Sequence, residues 1–241
     1  MKKQLLLICL CVLSICIQAQ DSKQIDSTAI FILDKMSDVI GDLNSVSISM
    51  NSSVDKLNDD SNIEKHYNHS EVTMVGPDKL IARVLGDKGD HAFWYDGEFM
   101  TYYSFNENNY VTLEAPDNII TMIDSMHTRF NFRFPAADFF YPSFTDDIMD
   151  DFDSIKYLGQ KTIDGEPCFY IMATNKDTNV QLWISNSMKT LPKRMVIIQK
   201  DKNNMQYEAN FLKWDLNPEI PNSVFEFTPP PKSKLISILE K

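Results

Sequence analysis

Two groups of residues in this sequence have the types and spacing that could bind a metal ion. His66 and His69 stand three apart, a spacing that lets two imidazoles share a metal on a helix. Their segment, KHYNHSEV, is strand-like, and on a strand residues three apart point to opposite faces. His91 and His127 are isolated, and we interpret each as a structural or surface residue.

The second group is an acidic cluster made of Asp146, Asp147, Asp150, Asp151 and Asp153. It could attract calcium, but it lacks the loop and the glycine of a calcium-binding hand, which favours a solvated helix face. Cys168 has Phe169 and Tyr170 beside it and no adjacent base, so an inert buried thiol is favoured over a nucleophile. The sequence contains no Gly-rich phosphate loop, no G-x-S-x-G and no H-E-x-x-H. We therefore expect no catalytic residue, no metal and no cofactor, and a protein that is not an enzyme.

The remaining candidate chemistry is aromatic. The stretch FWYDGEFMTYYSF, residues 93–105, has seven aromatic residues among its thirteen. Asp96-Gly97, taken as a two-residue turn, pairs Trp94 with Phe99 and Phe93 with Met100. One face of this hairpin would then carry Ala92, Trp94, Phe99, Thr101 and Tyr103, and the other His91, Phe93, Tyr95, Glu98, Met100 and Tyr102. Either both faces are covered or one lines a cavity, and the sequence leaves open which face is concave.

A cavity would need a cover, and the segment FNFRFPAADFFYPSF, residues 130–144, has the composition for one, with two prolines and seven aromatic residues. The alternative is that these rings are simply core, as aromatic residues on strands usually are. The cavity hypothesis predicts an apolar ligand site. Its predicted lining consists of Trp94, Phe99, Tyr103, Phe132, Phe134, Phe139, Phe140 and Trp183.

The elements that must position these rings are predicted from periodicity. Apolar residues from Ile25 to Leu43 follow one helical face, with Asp21 and Gln24 as a possible cap and Gly41 as the end. Period-two segments follow, separated by an exposed loop at 55–65. Pro116-Asp117 begins a second helix, and a short acidic helix capped by Thr145 precedes an antiparallel meander with a turn at Asp164-Gly165. The pattern predicts an α+β fold with one large curved antiparallel sheet and helices gathered on its concave face.

The first nineteen residues are typical of a signal peptide, with Lys2 and Lys3 before an apolar run. We expect residues 1–19 to be removed and residues 20–241 to form a single exported domain. Lipid attachment at Cys16 is disfavoured, because Ile15 occupies the place of a small residue. Without the two leader lysines, 21 basic residues face 34 acidic ones, a net charge of −13. This charge argues against nucleic acid or an anionic membrane surface as a partner. The sequence has no second long apolar run, so we do not expect an integral membrane protein.

The chain resembles the predicted periplasmic proteins called domain of unknown function 2092. The resemblance is carried by YLGQKTIDGEPCFYIMATNKDTNVQLWISNSMKTLPKRMVIIQKD, by FPAADFF and by FLKWDLNPEIPNSVFEFTPPP, and covers roughly residues 25–231. Its closing motifs are also similar to the lipoprotein-carrier superfamily of LolA, LolB and the sigma-E regulatory sensor. This resemblance implies an unclosed antiparallel half-barrel, helices plugging its concave side, and an apolar cavity for acyl chains.

Three hypotheses for function follow. The first is a periplasmic protein that binds or carries an apolar small molecule, such as a lipid or an acyl chain, including the acyl chain of a lipoprotein. The second is an interaction or sensor module that holds an envelope protein without catalysis. The third, a hydrolase acting on envelope material, has the least support because no catalytic constellation is present.

Overall fold

A computed structural model describes residues 23–134 and 136–240, so the predicted leader and Cys16 lie outside the described residues. The strands are β1 (Gln24–Ile25), β2 (Ser45–Leu57), β3 (Ile63–Val75), β4 (Lys79–Gly86), β5 (Gly89–Tyr95), β6 (Phe99–Ser104), β7 (Asn109–Glu114), β8 (Ser154–Ile163), β9 (Glu166–Thr174), β10 (Thr178–Ser185), β11 (Pro192–Gln199), β12 (Met205–Leu216) and β13 (Lys234–Leu235). The helices are α1 (Ser27–Gly41), α2 (Ile119–Phe130) and α3 (Phe144–Asp151), with short 3-10 turns at Ala137–Phe140 and Asn222–Phe225.

The thirteen strands of the described residues lie in one sheet, in the order β1-β8-β9-β10-β11-β12-β2-β3-β4-β5-β6-β7-β13. Two antiparallel meanders, β2 to β7 and β8 to β12, are joined where β12 pairs with β2. At the two ends, β1 and β13 add two-residue parallel pairings to β8 and β7, so the sheet is mixed rather than purely antiparallel. Because the order begins at β1 and ends at β13, the sheet is not closed into a barrel. The predicted α+β half-barrel is confirmed, with two short parallel edges that the sequence pattern did not predict.

Helix α1 begins later than its apolar pattern suggested. Asp26, rather than Asp21, caps it, accepting a hydrogen bond from the Thr28 N–H at 2.8 Å. Ile25 lies before this cap, in β1, and is not part of the helical stripe. The predicted stripe itself is correct, because its members Ala29, Ile32, Leu33, Met36 and Ile40 are all buried.

The segment 55–65, predicted to be an exposed loop, is mostly strand. Strand β2 continues to Leu57 and β3 begins at Ile63, so only the turn 58–62 lies between them. The Asn58 side-chain oxygen accepts from the Asp60 and Asn62 N–H groups, which satisfies the turn locally and lets the ladder continue to its edge. Polar composition therefore marked a solvent-exposed hairpin end, not a break in the strands.

The helices lie on one side of the sheet, over a core of inward residues from both meanders. On β2 these are Val46, Ile48 and Met50, which belong to the same buried cluster as the apolar stripes of α1 and α2. Asn118 caps α2 through a hydrogen bond to the Thr121 N–H at 3.0 Å, one residue after the predicted Pro116-Asp117 start. The N-cap of α3 is Ser143 rather than Thr145, which is buried in its first turn.

The C-terminal segment, residues 217–240, covers part of the other side of the sheet. The Phe225 side chain is 1% exposed, in the 3-10 turn that contacts β4. Phe227 packs against aromatic rings of β5, β6 and β7. Beyond them β13 pairs with the edge of β7, and the Arg129 Nε of α2 donates to Glu240 at 2.9 Å. Both faces of the aromatic hairpin are therefore covered, one by helices and one by the chain end.

Candidate functional site

The β5–β6 hairpin has a different register from the one predicted. Tyr95 pairs with Met100 and Trp94 with Thr101, so four residues rather than two lie between the paired positions. The Asp96 carboxylate causes the difference, since it accepts from the N–H groups of Glu98 and Phe99 and closes a longer loop. A shift of two residues keeps each side chain on its face, so the predicted division of the rings into two sets remains correct for the strand residues.

The concave face of the hairpin is the one that carries Phe93 and Tyr102. The Phe93 ring lies 5.3 Å from the Phe132 ring and 5.0 Å from the Phe134 ring, and Tyr102 stacks on Phe132 at 5.5 Å. These contacts are within the range in which aromatic pairs stabilise one another beyond their buried area. The segment after α2 is thus the cover of this face, as its composition predicted.

Four of the eight predicted lining residues lie on the outer face instead. Trp94 and Tyr103 contact the Phe227 ring at 5.1 and 5.9 Å, and Phe99 lies on their side of the hairpin, 36% exposed. Trp183 stacks on Tyr170 at 4.8 Å, while its strand neighbours on β10 point into the core. The prediction that these four line the concave cavity is wrong in its geometry, because alternate residues of a strand point to opposite faces.

A cavity of about 620 Å³ lies between the concave face of the sheet and the α2 side of the fold. Its floor is built from β2, β3, β4, β5, β11 and β12, and its roof from α2 and residues 132–134 and 136–141, hereafter the cover segment. The apolar members of its wall include Val54, Val84, Ile123, Phe132, Phe134, Ala136, Ala137, Met195 and Ile197. This volume is typical of a small-molecule site.

Of the four predicted residues in the cover segment, two line this cavity and two do not. Phe132 and Phe134 are on its wall. The Phe139 ring packs in the core, 5.2 Å from Phe144 and 5.6 Å from Phe211. Phe140 lies beside the core against Trp214, with ring centres 6.4 Å apart.

The floor of the cavity changes from apolar to polar along β2, β3, β5 and β12, while β4 contributes only Val84 to it. The inward side chains of β2 run from Met50 to Ser52, and those of β3 from Val72 through Ser70 to Asn68. The same change occurs from Phe93 to His91 on β5 and from Ala209 to Tyr207 on β12. These positions are neighbours in register, since Ser70 pairs with Val84, Val84 with His91, and Ser52 with both Asn68 and Ala209. One end of the concave face is therefore a dry core under the helices, and the other is a polar floor beneath the cavity.

Ionisable side chains from the roof meet this polar floor. The Tyr141 hydroxyl of the cover segment donates to the Asp124 carboxylate of α2 at 2.6 Å. Asp138 lies beside them on the cavity wall, where burial raises the pKa of its carboxyl and nearby His127 partly opposes the rise. Burial first, and then the charge of Asp138, raise the pKa of the Tyr207 hydroxyl to about 12. Tyr207 therefore stays a neutral hydrogen-bond donor, whereas Asp138 is an exposed residue on the cavity wall.

His91 is the other ionisable group of the floor. Burial lowers the pKa of its imidazole, only partly opposed by the Gly89 backbone and by Asp90. Its ring lies 5.6 Å from Phe93 and 5.7 Å from Tyr102. This side of the cavity therefore presents a neutral imidazole packed against two aromatic rings at neutral pH.

The mouth of the cavity is held by Asp55, which joins three strands. Its carboxylate pairs with the Lys65 Nζ of β3 at 2.7 Å and accepts from the Gln206 N–H of β12 at 2.9 Å. Burial works to raise the pKa of Asp55, but the hydrogen bonds from Lys65 and Gln206 and the lysine charge outweigh it and leave the pKa below its usual value. The ion pair joins the two strands of the β2–β3 hairpin end, and the hydrogen bond from Gln206 ties this end to the second meander.

Other candidate groups lie apart from the cavity or in local pairs. The His66 Nδ1 lies 2.8 Å from an Asp87 carboxylate oxygen, while His69, on the other face of β3, contacts Asn51 and Glu71. Cys168 is buried on β9, and burial raises the pKa of its thiol. In the part of the chain that the structure describes, no three His, Cys, Asp or Glu side chains group to hold a metal ion. Across residues 23–134 and 136–240, no helix combines the length and the apolar content needed to cross a membrane.

Sequence reasoning missed the polar residues of the cavity, chiefly Ser52, Asn68, Asp138 and Tyr207. It treated the site as a set of aromatic rings, and these four have no distinctive motif. A signal was present in the strands, because polar residues at Ser52 and Asn68 continue the inward period of apolar residues on the same strands. A polar residue at an inward position marks either a hydrogen-bonded core group or a wet cavity.

Comparisons with known proteins agree with this architecture. The structure is similar to an uncharacterised conserved protein from Thermus thermophilus, with a TM-score of 0.52, 8% identity and coverage of 87% of this chain and 98% of that one. It is also similar to the Mycobacterium tuberculosis lipoprotein LppX, with a TM-score of 0.51, 14% identity and coverage of 82% and 99%. At such identities these likenesses show the fold alone.

A weaker likeness joins the chain to a LolA superfamily protein from Nitrosomonas europaea, with a TM-score of 0.37, 12% identity and coverage of 83% and 97%. A TM-score this low supports no conclusion about function. No curated protein matches the sequence. The family model for predicted periplasmic protein DUF2092 matches residues 29–239, which is nearly all of the described chain. The chain therefore belongs to the DUF2092 family of predicted periplasmic proteins.

Proposed function

We propose that this protein binds an apolar or amphipathic ligand, such as a lipid or acyl chain, in the cavity between the sheet and the cover segment. The observation that carries the proposal is the cavity itself, about 620 Å³ with Phe132, Phe134 and Ile123 on its wall. Apolar surface that a ligand loses to water here contributes about 25 cal/mol per Å² before the costs of ordering are subtracted. A chain of several methylene groups therefore gains enough to stay bound during purification.

The construction of the roof supports a binding role over a purely structural one. The cover segment reaches the sheet through the Phe132 and Phe134 rings, which both contact Phe93, so it is held at one end of the cavity. Its other residues, including Ala136 and Ala137, have small side chains at the cavity wall. Small residues opposite Val54 and Val84 leave room where large side chains would have filled the core.

A cavity-filling variant and a matched control test the proposal. Ser52→Trp places an indole on the cavity floor, at an inward strand position where an aromatic residue is well tolerated. Ser49→Trp makes the same change on the outer face of β2, where the serine donates only an exposed hydrogen bond to Glu71. Thermal unfolding of both variants checks that each keeps the fold.

The measurement is native mass spectrometry of protein purified from the periplasm, with analysis of an organic extract. We expect a bound mass on the natural protein and on Ser49→Trp, and its loss from Ser52→Trp. A clean unliganded mass with no lipid in the extract would contradict the proposal. If, in addition, crosslinking captured an envelope protein, the interaction module would be the better description.

A further inference from the structure

The cavity is open toward one end of the sheet. The inward side chains of β2 change from buried at Met50 to half-buried at Ser52 and exposed at Lys56. Those of β3 change from buried at Ser70 to half-buried at Asn68 in the same direction. The turns that join β2 to β3, β4 to β5 and β11 to β12 all lie at the exposed end. A ligand therefore enters from these turns and meets the core at the other end.

The inner part of the cavity wall is neutral and mostly apolar. Its buried members are Ser70, Val84, Ile123, Phe134, Ala136 and Met195. Apolar surface that a ligand brings here is removed from water and contributes to binding. The inner end is therefore the place for the apolar part of an amphiphile.

Most of the charged side chains on the described wall lie at its rim. Asp55 is paired with Lys65. The others are exposed, and they are two basic and two acidic residues: Lys56, Arg133, Asp124 and Asp138. Water and salt screen such charges, so each changes the affinity for a charged head group by at most about fivefold. With both signs in equal number, this rim does not select the charge of a head group.

The depth of the cavity follows from the strand positions on its floor. Its wall on β2 runs from Lys56 to Ser52, and Ser70, its buried member on β3, pairs with Met50. Four to six residues of strand separate these levels, which is about 13–20 Å at roughly 3.3 Å per residue. An extended chain advances about 1.2 Å per bond, so about eleven to sixteen carbon–carbon bonds fit along the wall.

We propose that the cavity binds an unbranched alkyl amphiphile tail first, with the chain end near Ser70 and Val84 and the head group in water at the rim. The site then selects the length of the chain and not the charge of the head. Methylene groups beyond about sixteen carbons stay in water at the mouth and add nothing to the affinity. This inference rests on the proposed function, since it assigns the class and the orientation of the ligand in that cavity.

Two series of probes test the inference, each displacing the neutral dye N-phenyl-1-naphthylamine below the critical micelle concentration. In the first, alkylphosphocholines vary from eight to twenty carbons. We expect each added methylene to tighten binding by up to about fourfold until the chain has about twelve to sixteen carbons, and the last four carbons together to change it less than about twofold. In the second, dodecylamine, dodecanoate and dodecylphosphocholine should bind within about fivefold of one another.

A variant at the inner end tests the orientation. Val84→Phe enlarges a buried wall residue and should weaken binding of the sixteen-carbon probe at least about tenfold, as the loss of two or three methylene contacts would, while the eight-carbon probe stays within about twofold. Leu85→Phe adds a ring to the half-buried neighbour on the outer face and should leave both affinities unchanged. Thermal unfolding checks the fold, and Val84→Leu repeats the test with a smaller change if the phenylalanine overpacks the site.

The outcomes separate this inference from the proposed function. If no probe displaced the dye, both would be overturned. If affinity rose steadily to twenty carbons, or followed the charge of the head by more than about tenfold, the tail-first orientation would be wrong while the cavity remained a binding site. The same conclusion would follow if Val84→Phe weakened short and long probes equally.

Discussion

Phe134 and Phe227 lie on opposite sides of the β5–β6 hairpin, so truncating each one separates ligand binding from stability. Phe134 lines the cavity, is 8% exposed, and has its ring 5.0 Å from that of Phe93. Phe227 packs on the outer face, with its ring 5.1 Å from Trp94 and 5.3 Å from Tyr110. Both phenylalanines contact β5, but only Phe134 lines the space where a ligand would lie.

The expected loss of stability follows from the buried area of the two rings. A buried aromatic side chain removes about 150–250 Å² from water, worth roughly 4–6 kcal/mol at 25 cal/mol per Å². Phe134→Ala should cost about 3 kcal/mol, at the lower end of the usual range for this change, because one side of the ring already faces a cavity. Phe227 is half-buried, and Phe227→Ala should cost about 2 kcal/mol by the same area argument.

Urea unfolding measures the loss of stability, and titration with the dye N-phenyl-1-naphthylamine measures ligand binding. We expect Phe134→Ala to weaken dye binding about tenfold, as the loss of roughly 1.4 kcal/mol of contact would, and Phe227→Ala to leave it within about twofold. Phe134→Leu and Phe227→Leu repeat the comparison with smaller losses in case either alanine variant unfolds. Equal weakening by the two substitutions, or none by the Phe134 variants, would refute the assignment of the concave cavity as the binding site.

Three further predictions concern the polar residues of the cavity. Burial raises the pKa of Asp138, but the residue is exposed and solvent screens its charge, so Asp138→Asn should increase the free energy of unfolding at neutral pH only slightly, a gain that shrinks as pH falls through the raised pKa toward 3.8. The pKa of Asp55 is lowered through Lys65 and Gln206, so Asp55→Asn should cost about 1–3 kcal/mol at pH 7, and acid titration through the lowered pKa should abolish the difference. Gly86→Ala should push the amide of Asn68 into the cavity and weaken dye binding, which the same titration would show.

The β5–β6 hairpin shows why the sequence predicted which side chains share a face better than it predicted which residues pair. The alternation of Trp94 and Tyr103 against Phe93 and Tyr102 depends only on a period of two, which the backbone imposes. The register depends on the loop, where the Asp96 side chain stabilises a longer connection than the Asp-Gly pair alone suggested. The error was two residues, so the two sets of rings kept their identity.

Which set faces the cavity could not be obtained from the hairpin alone, because both sets are aromatic. The answer depends on distant parts of the chain: Phe132 covers one face, and the Phe225 and Phe227 side chains near the C-terminus cover the other. These two phenylalanines alternate in VFEF just before the prolines, a pattern that fits an extended segment lying on a sheet. Such a pattern predicts burial of alternate residues, but it does not name the strands that they cover.

The position of the cavity, in contrast, can be inferred from the row of side chains that points inward on each of the strands β2, β3 and β12. A buried polar group without a hydrogen bond costs roughly 2–7 kcal/mol in an apolar setting, by transfer measurements. A dry core therefore excludes Ser52, Asn68 and Tyr207 from inward positions unless each forms a hydrogen bond. Their inward rows begin with Met50 and Val72, which the helices cover. The helical cover therefore has to end where the rows become polar, and the small residues of the cover segment leave space beyond that point.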